Sequence, residues 1–272
     1  MWRRLMRDRV AVACLGIIGA TLLLGIFAPL VAPNDPLEAN IMAKFRGMSW
    51  DYPLGTDQQG RCVLSRLIYG VRPTILLSLL TMGGTIALGG FLGVVSGYFR
   101  GAVDEIIMRA CDVMLSFPSQ VMILAVVGML GVGIENVIIA NILIKWAWYA
   151  RMIRGSVLQH SEKGFVIFSR TTGAGTGFIL WRHIVPSVLP EIIVLASLDA
   201  GWVIINISTL SFLGLGVQAP APEWGAMLNE ARHVMVSYPQ QMLAPGLAVL
   251  TLVACFNLLG DSLRGALEVR GR

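Results

Sequence analysis

Long apolar runs constrain this chain more than any motif. They are Val10–Val31, Thr74–Tyr98, a run from Asp104 through Asp112 and Pro118 to Met129, Asn136–Trp148, Ser187–Leu210 and Met242–Leu259. A helix needs about 20 apolar residues to cross a bilayer, and in lipid only a structure that satisfies its own backbone hydrogen bonds survives. Charged residues make up only 14% of the 272 residues and hydrophobic ones 56%, whereas a soluble domain carries about a quarter charged. The expected fold class is all-α, a polytopic membrane protein with six transmembrane helices.

Charge sets the expected orientation. Arg3, Arg4, Arg7 and Arg9 precede the first run, which places that end in the cytoplasm. With six spans both ends lie inside, and fifteen of the 21 Lys and Arg then fall on inner segments against six on outer ones. The first run is too long for the core of a signal peptide and has no small-residue cleavage site, so it reads as an uncleaved span. The net charge of +5 does not point to nucleic acid, because the basic residues sit at span edges and not in one patch.

The longest polar-dotted stretch is Arg151–Pro190, with Arg151, Arg154, Lys163, Arg170 and Arg182 against the single acid Glu162. Phe165, Phe168 and Thr172 fall at helical spacing. Gly173 and Gly175 break the pattern, and Phe178–Ile184 resumes it before Pro186 stops it. Two helices this short cannot bury a core of their own, so the stretch should dock onto something.

Asn34–Arg72 reads as a polar outer segment with a short amphipathic helix over Val63–Tyr69. There Asp57, Arg61 and Arg66 either fix one another in a solvated helical cap or touch substrate. Gly89, Gly93 and Gly97, four apart, strip side chain from one stripe of the second run. They serve packing within the chain or contact with a second subunit. Asp104, Glu105, Arg109 and Asp112 fall near helical spacing and can pair among themselves. Asp199, with Asn206 further along the same run, is an ionisable group at mid-membrane depth. Such a group either marks a translocation path or makes a helix–helix hydrogen bond. Glu223, Glu230, Arg232 and His233 read as exposed polar groups before the last run.

The chemistry of an enzyme is missing. The sequence contains no GxxxxGK[ST], HExxH, CxxC or GxSxG, so neither a phosphate-binding loop nor a metalloprotease or hydrolase motif is present. The histidines His160, His183 and His233 are scattered. The thirteen methionines read as apolar filling more simply than as a soft-metal path. Cys14, Cys111 and Cys255 lie in apolar runs and Cys62 stands apart, so no disulfide framework is implied.

Several stretches resemble a known family. LGTDQQGRCVLSRLIYG (54–70) resembles the LGTDxxGRDxxSRxxYG signature of the dipeptide, oligopeptide and nickel branch of ABC importer permeases, with Cys62 in place of the Asp. The Gly173-to-Pro186 spacing, with RHIVP at 182–186, is similar to the cytoplasmic EAA loop of that family. Ile167, Phe168 and Ser169 stand where Glu-Ala-Ala would be, and Val185 where a leucine precedes the proline. SFLGLGVQAPAPEWG (211–225) is similar to the outer loop before the last span, and WAWYARMIR (146–154) resembles the nickel-type members.

The resemblance, over about residues 1–265, implies a type I ABC importer permease fold in a bacterial inner membrane. It implies an N-terminal span and outer loop at 1–72, the transporter domain at 73–265 and a tail at 266–272. Loop 155–186 would couple to an ATPase through Phe165, Phe168, Ser169, Gly173, Gly175 and Pro186. Asp199, Asn206 and Asp112 are candidates for the translocation path. The implied partners are a second homologous permease subunit, two ABC ATPase subunits or domains, an extracytoplasmic substrate-binding protein and the lipid bilayer. The chain itself would hold no cofactor, ATP and Mg being bound by the ATPases, and would catalyse no reaction. The expected substrate is nickel or a metal chelate, the alternative a dipeptide or oligopeptide. An ion-coupled secondary transporter is more distant, since it should show charged residues in several spans and inverted repeats.

Overall fold

The computed structural model describes residues 5–268. Arg3, Arg4, Arg270 and Arg272, which enter the expected charge bias, lie outside the described residues, as does the end of the expected tail.

Helix accounts for nearly all regular structure. α1 (Arg9–Ile26) starts at Asp8, whose carboxylate accepts from the Val10 N–H, an N-cap that satisfies a donor the helix itself leaves free. A single turn, Ala28–Val31, follows with Pro29 in it. α2 (Val63–Phe99) has 37 residues and is about 55 Å long. α3 (Gly101–Leu115) and α4 (Ser119–Leu130) meet at 88°, where Pro118 interrupts the hydrogen-bond ladder. Then come α5 (Ile134–Ser161), α6 (Gly164–Thr171), α7 (Thr176–Phe212), α8 (Trp224–Ala231) and α9 (Gln240–Glu268). No strand occurs among the described residues; Thr56 and Cys62 form an isolated bridge.

The all-α class is as expected, but the span count is not. α1, α2, α7 and α9 are long and apolar enough to cross a membrane, and the bent pair α3–α4 makes a fifth if counted as one span. The expected fourth run lies in α5, which has the length at 28 residues. Its apolar sequence is interrupted by Asn141, Lys145, Arg151 and Arg154, of which Asn141 and Lys145 are buried.

Two expected helix breaks are absent. Val63–Tyr69 is not a separate helix, because α2 passes through Pro73 without ending. Val71 and Ile75 on either side are buried in the core, and their packing offsets the one lost donor. Likewise Pro186 does not stop its helix. Leu180–Ile184 is a wide π turn in which the Val185 N–H reaches back to the Leu180 carbonyl. The slack of that turn admits a residue with no N–H directly after it.

The chain forms two compact units. One comprises the residues up to Leu80, Leu130–Val137 and the residues from Ser197 onward. In it Ala11, Cys14 and Ile18 of α1 share a buried cluster with Leu252, Cys255 and Leu259 of α9. The helices run antiparallel, and the Ser262 hydroxyl donates to Asp8 at 2.6 Å at one end of the seam. The other unit comprises Thr81–Met129 and Ile138–Ala196. Here Tyr149, Ile153 and Val157 of α5 pack with Val166 of α6 and with Ile179, Ile184 and Val188 of α7.

Candidate functional site

The first polar constellation belongs to the 54–70 motif. Asp57 turns the loop by accepting from the N–H groups of Gln59 (2.8 Å) and Arg61 (3.0 Å). Its Oδ2 also accepts from Arg61 Nε and Arg66 Nη1, both at 2.7 Å. Glu230 of α8 closes the cluster, accepting from Arg66 Nη1 at 2.7 Å and from Arg61 Nη2. Both arginine side chains are 1% exposed, against 11% for Asp57 and 15% for Glu230. The expected solvated cap is therefore a buried, charge-balanced knot of two cations and two anions. Buried charges persist only when paired this closely. Burial nevertheless pushes the Glu230 carboxyl up to about 7, with Arg61 pulling the other way.

Glu223 is a second correction. It is fully buried and not an exposed polar group. Its two oxygens accept from the Gly225 and Ala226 N–H groups at 2.9 Å each and cap α8. Burial raises its carboxyl above the usual range, and those two N–H bonds act in the opposite direction. Next to it the Trp224 indole donates to the Leu67 carbonyl at 2.9 Å. α8 is thus latched onto the first turns of α2 by a cap, an indole and a charge knot. Only the residue order Glu-Trp-Gly after a Pro-rich run hinted at a capped helix start. Arg232 and His233 are exposed, as expected.

The second constellation is the 151–190 stretch. α6 ends in a Schellman turn. The Gly173 N–H donates to the Arg170 carbonyl (3.2 Å) and the Ala174 N–H to the Ser169 carbonyl (3.0 Å), while Gly173 takes φ +82°. That conformation suits glycine because it has no Cβ. Gly175 then starts α7 from an extended conformation. The two arms are pinned at His183, whose Nε2 lies 2.9 Å from Ser169 Oγ. Its ring sits 5.5 Å from Phe165 and 5.6 Å from Phe178.

The stretch is two-faced. Val166, Ile179 and Ile184 face inward, whereas Phe165, Ile167, Phe168, Phe178 and Trp181 are exposed, Trp181 at 77%. Of the residues singled out from the sequence, Phe165, Ser169, Gly173 and Gly175 meet in this knuckle. Phe168 stands on its exposed side, and Pro186 lies beyond it in α7.

The remaining candidates are dispersed. Gly89, Gly93 and Gly97 lie against α5. A Cβ on Gly89 would stand 2.6 Å from the Trp146 carbonyl, one on Gly93 2.7 Å from that of Ala150, and one on Gly97 2.8 Å from Val157 Cβ. Asp104 and Asp112 do not pair with their α3 neighbours. Asp104 accepts from Arg154 Nε and Nη2, and Asp112 is ion-paired with Arg151. Glu105 and Arg109 do pair within α3, at 3.7 Å and well exposed. Asn206 is buried and Asp199 partly so, both on α7.

Residues 89–272 match the family described as binding-protein-dependent transport system inner membrane component. Residues 1–47 match the N-terminal transmembrane domain of oligopeptide transport permease C. The metal-staphylopine import system permease protein CntC of Staphylococcus aureus is 47% identical over 98% of this chain and 93% of its own length. The nickel transport system permease protein NikC of Escherichia coli is 39% identical over 93% and 91%. The dipeptide transport system permease protein DppC of Alkalihalophilus pseudofirmus is 36% identical over 98% and 88%. An inward-facing structure of the MetNI methionine ABC transporter shares the fold at 18% identity, with a TM-score of 0.57 over 74% of this chain and 95% of that one. The chain belongs to the binding-protein-dependent inner membrane components, in the dipeptide, oligopeptide and nickel branch of ABC importer permeases. It is a transport permease and an integral membrane protein, not an enzyme.

Proposed function

We propose that this permease forms half of the translocation path for a metal ion carried as a chelate. The observation that carries the substrate is the 47% identity, across 98% of the chain, to a metal-staphylopine permease. The 39% identity to a nickel permease agrees with it. The 36% identity to a dipeptide permease supports a second reading, import of a short peptide.

The energy comes from elsewhere. Loop 155–186 seats its aromatic knuckle in a groove of a separate ATPase subunit, which binds the ATP and Mg. A second, homologous permease completes the path, and an extracytoplasmic binding protein delivers the substrate. The basic residues flanking the spans support cytoplasmic ends and a cytoplasmic loop 155–186. In this reading residues 1–72 supply an N-terminal span and outer loop, 73–265 the transporter core and 266–272 a tail. Asp112, Asp199 and Asn206 are its candidate path residues. ATP-driven closure of the ATPases moves the knuckle, and the spans exchange outward- and inward-facing states. Coupling requires that the knuckle's contact energy differ between those states.

The test is uptake in cells with and without the gene, using labelled nickel alone, labelled nickel with a polycarboxylate chelator and a labelled dipeptide. Chelate-dependent metal uptake that needs the gene is the expected result. Gene-dependent uptake of the dipeptide alone overturns the substrate assignment.

A further inference from the structure

We propose that Cys14 and Cys255 form a redox-active thiol pair within the membrane, oxidised to a disulfide by a lipid-soluble quinone. Both thiols are buried, at 4% and 5% exposure, and they lie at matching depth, six residues on from Asp8 and seven back from Ser262. They belong to one cluster on the antiparallel seam of α1 and α9. That register is fixed independently by the Ser262–Asp8 hydrogen bond near the end of the same seam. Along it Asp8, Ala11, Cys14 and Ile18 recur at three- and four-residue steps, as do Leu252, Cys255, Leu259 and Ser262. The cysteines therefore sit on the contact line and not at its margin.

Helices packed this way run about 8–10 Å apart with backbones of about 2.3 Å radius, which leaves facing Cα atoms about 5 Å apart, within disulfide reach. Two thiols give up two protons and two electrons as one S–S bond forms, and the quinone takes up both and becomes a quinol. Apolar surroundings exclude charged reagents and admit a hydrophobic one, which selects the class of oxidant. The bond ties the helix matched by the oligopeptide-permease N-terminal family to the last helix of the transporter family. Cys62 and Cys111 do not share this cluster.

The experiment uses the full chain in liposomes, treated with a fully methylated benzoquinone that has no ring position for thiol addition. Free thiols are then alkylated, and peptides are mapped by mass spectrometry without reduction. A Cys14–Cys255 linked peptide at least tenfold above any other pairing, reversed by dithiothreitol, is the expected result. The link should be absent in Cys14→Ala and Cys255→Ala and retained in Cys62→Ala. Full alkylation of both thiols after quinone treatment, or linkage through Cys62 or Cys111, overturns the proposal. The wild-type map alone decides if an alanine variant fails to insert.

Discussion

Arg154 grips Asp104 across 50 residues of sequence, its Nε and Nη2 each 2.5 Å from a different carboxylate oxygen. The pair joins α5 to α3, and its side chains are only 30% and 16% exposed. Two parallel N–H···O bonds to one carboxylate are stronger and more directional than a single contact. Arg154→Ala would leave Asp104 with Ser96 as its remaining polar side-chain partner. The expected cost is about 1–3 kcal/mol, read as a lower unfolding midpoint in detergent. Arg151→Ala removes a pair whose side chains are 45% and 57% exposed, so its cost should stay below about 1 kcal/mol. Equal effects of the two would show that the bidentate geometry contributes nothing.

The glycine stripe of α2 has a sharp internal control. Gly93→Val would drive a branched side chain into the Ala150 carbonyl, 2.7 Å from the added Cβ, and into Ile153 Cβ at 3.0 Å. Backbone cannot swing aside as a side-chain tip does, so overpacking should cost about 1–3 kcal/mol or more. Gly83 lies on the same helix with nothing within 4 Å of an added Cβ. Gly83→Val should insert and unfold like the parent. Thermal unfolding of the two variants side by side distinguishes close helix contact from a general intolerance of substitution.

Local pattern made the helices, the glycine stripe and the knuckle legible, because each is written in consecutive residues. The stripe repeats every four positions, and Gly173 and Gly175 interrupt a clear helical period. What pattern missed depends on distant partners. Glu230 lies 164 residues from the Arg66 it pairs with, and nothing near Glu223 announces that its carboxyl is buried under Thr74. The same holds for Asp104, whose nearer candidate Arg109 loses to Arg154. Pro186 misled for a different reason. The rule that proline ends a helix weighs one lost hydrogen bond, whereas the π turn before Val185 outweighs it.

The charge knot should make stability depend on pH. Burial raises the folded-state pKa of Glu230 to about 7 from an ordinary value of 4.5. Between those values the folded chain holds a proton that the unfolded chain has released. Stability from this group is therefore fullest below pH 4.5 and declines as pH rises through 7. A shift of this size corresponds to about 3 kcal/mol at most. Glu230→Gln cannot ionise, so its unfolding midpoint should lose the downward slope between pH 5 and 7.5 that the parent shows. An unchanged slope would assign the pH dependence to another group, with Glu223 the next to test.

The knuckle yields the most direct test of coupling. Gly173 holds φ +82°, and an added Cβ would meet nothing within 4 Å. Substitution there acts through the backbone and not through a clash. A β-branched residue in this region is disfavoured by about 1–2 kcal/mol, and the relaxed chain would lose the Gly173–Arg170 and Ala174–Ser169 bonds that aim the second arm. Ala174 packs into the buried cluster around Tyr149 and Val166, so the displaced turn also loosens the knuckle from α5. Gly173→Val is expected to insert normally and reduce uptake at least tenfold. Gly173→Asn, which tolerates this conformation better, should retain most of it. Measured together with ATPase activity of the assembled transporter, the valine variant should hydrolyse ATP without transport. Normal uptake by Gly173→Val would remove loop 155–186 from the coupling path.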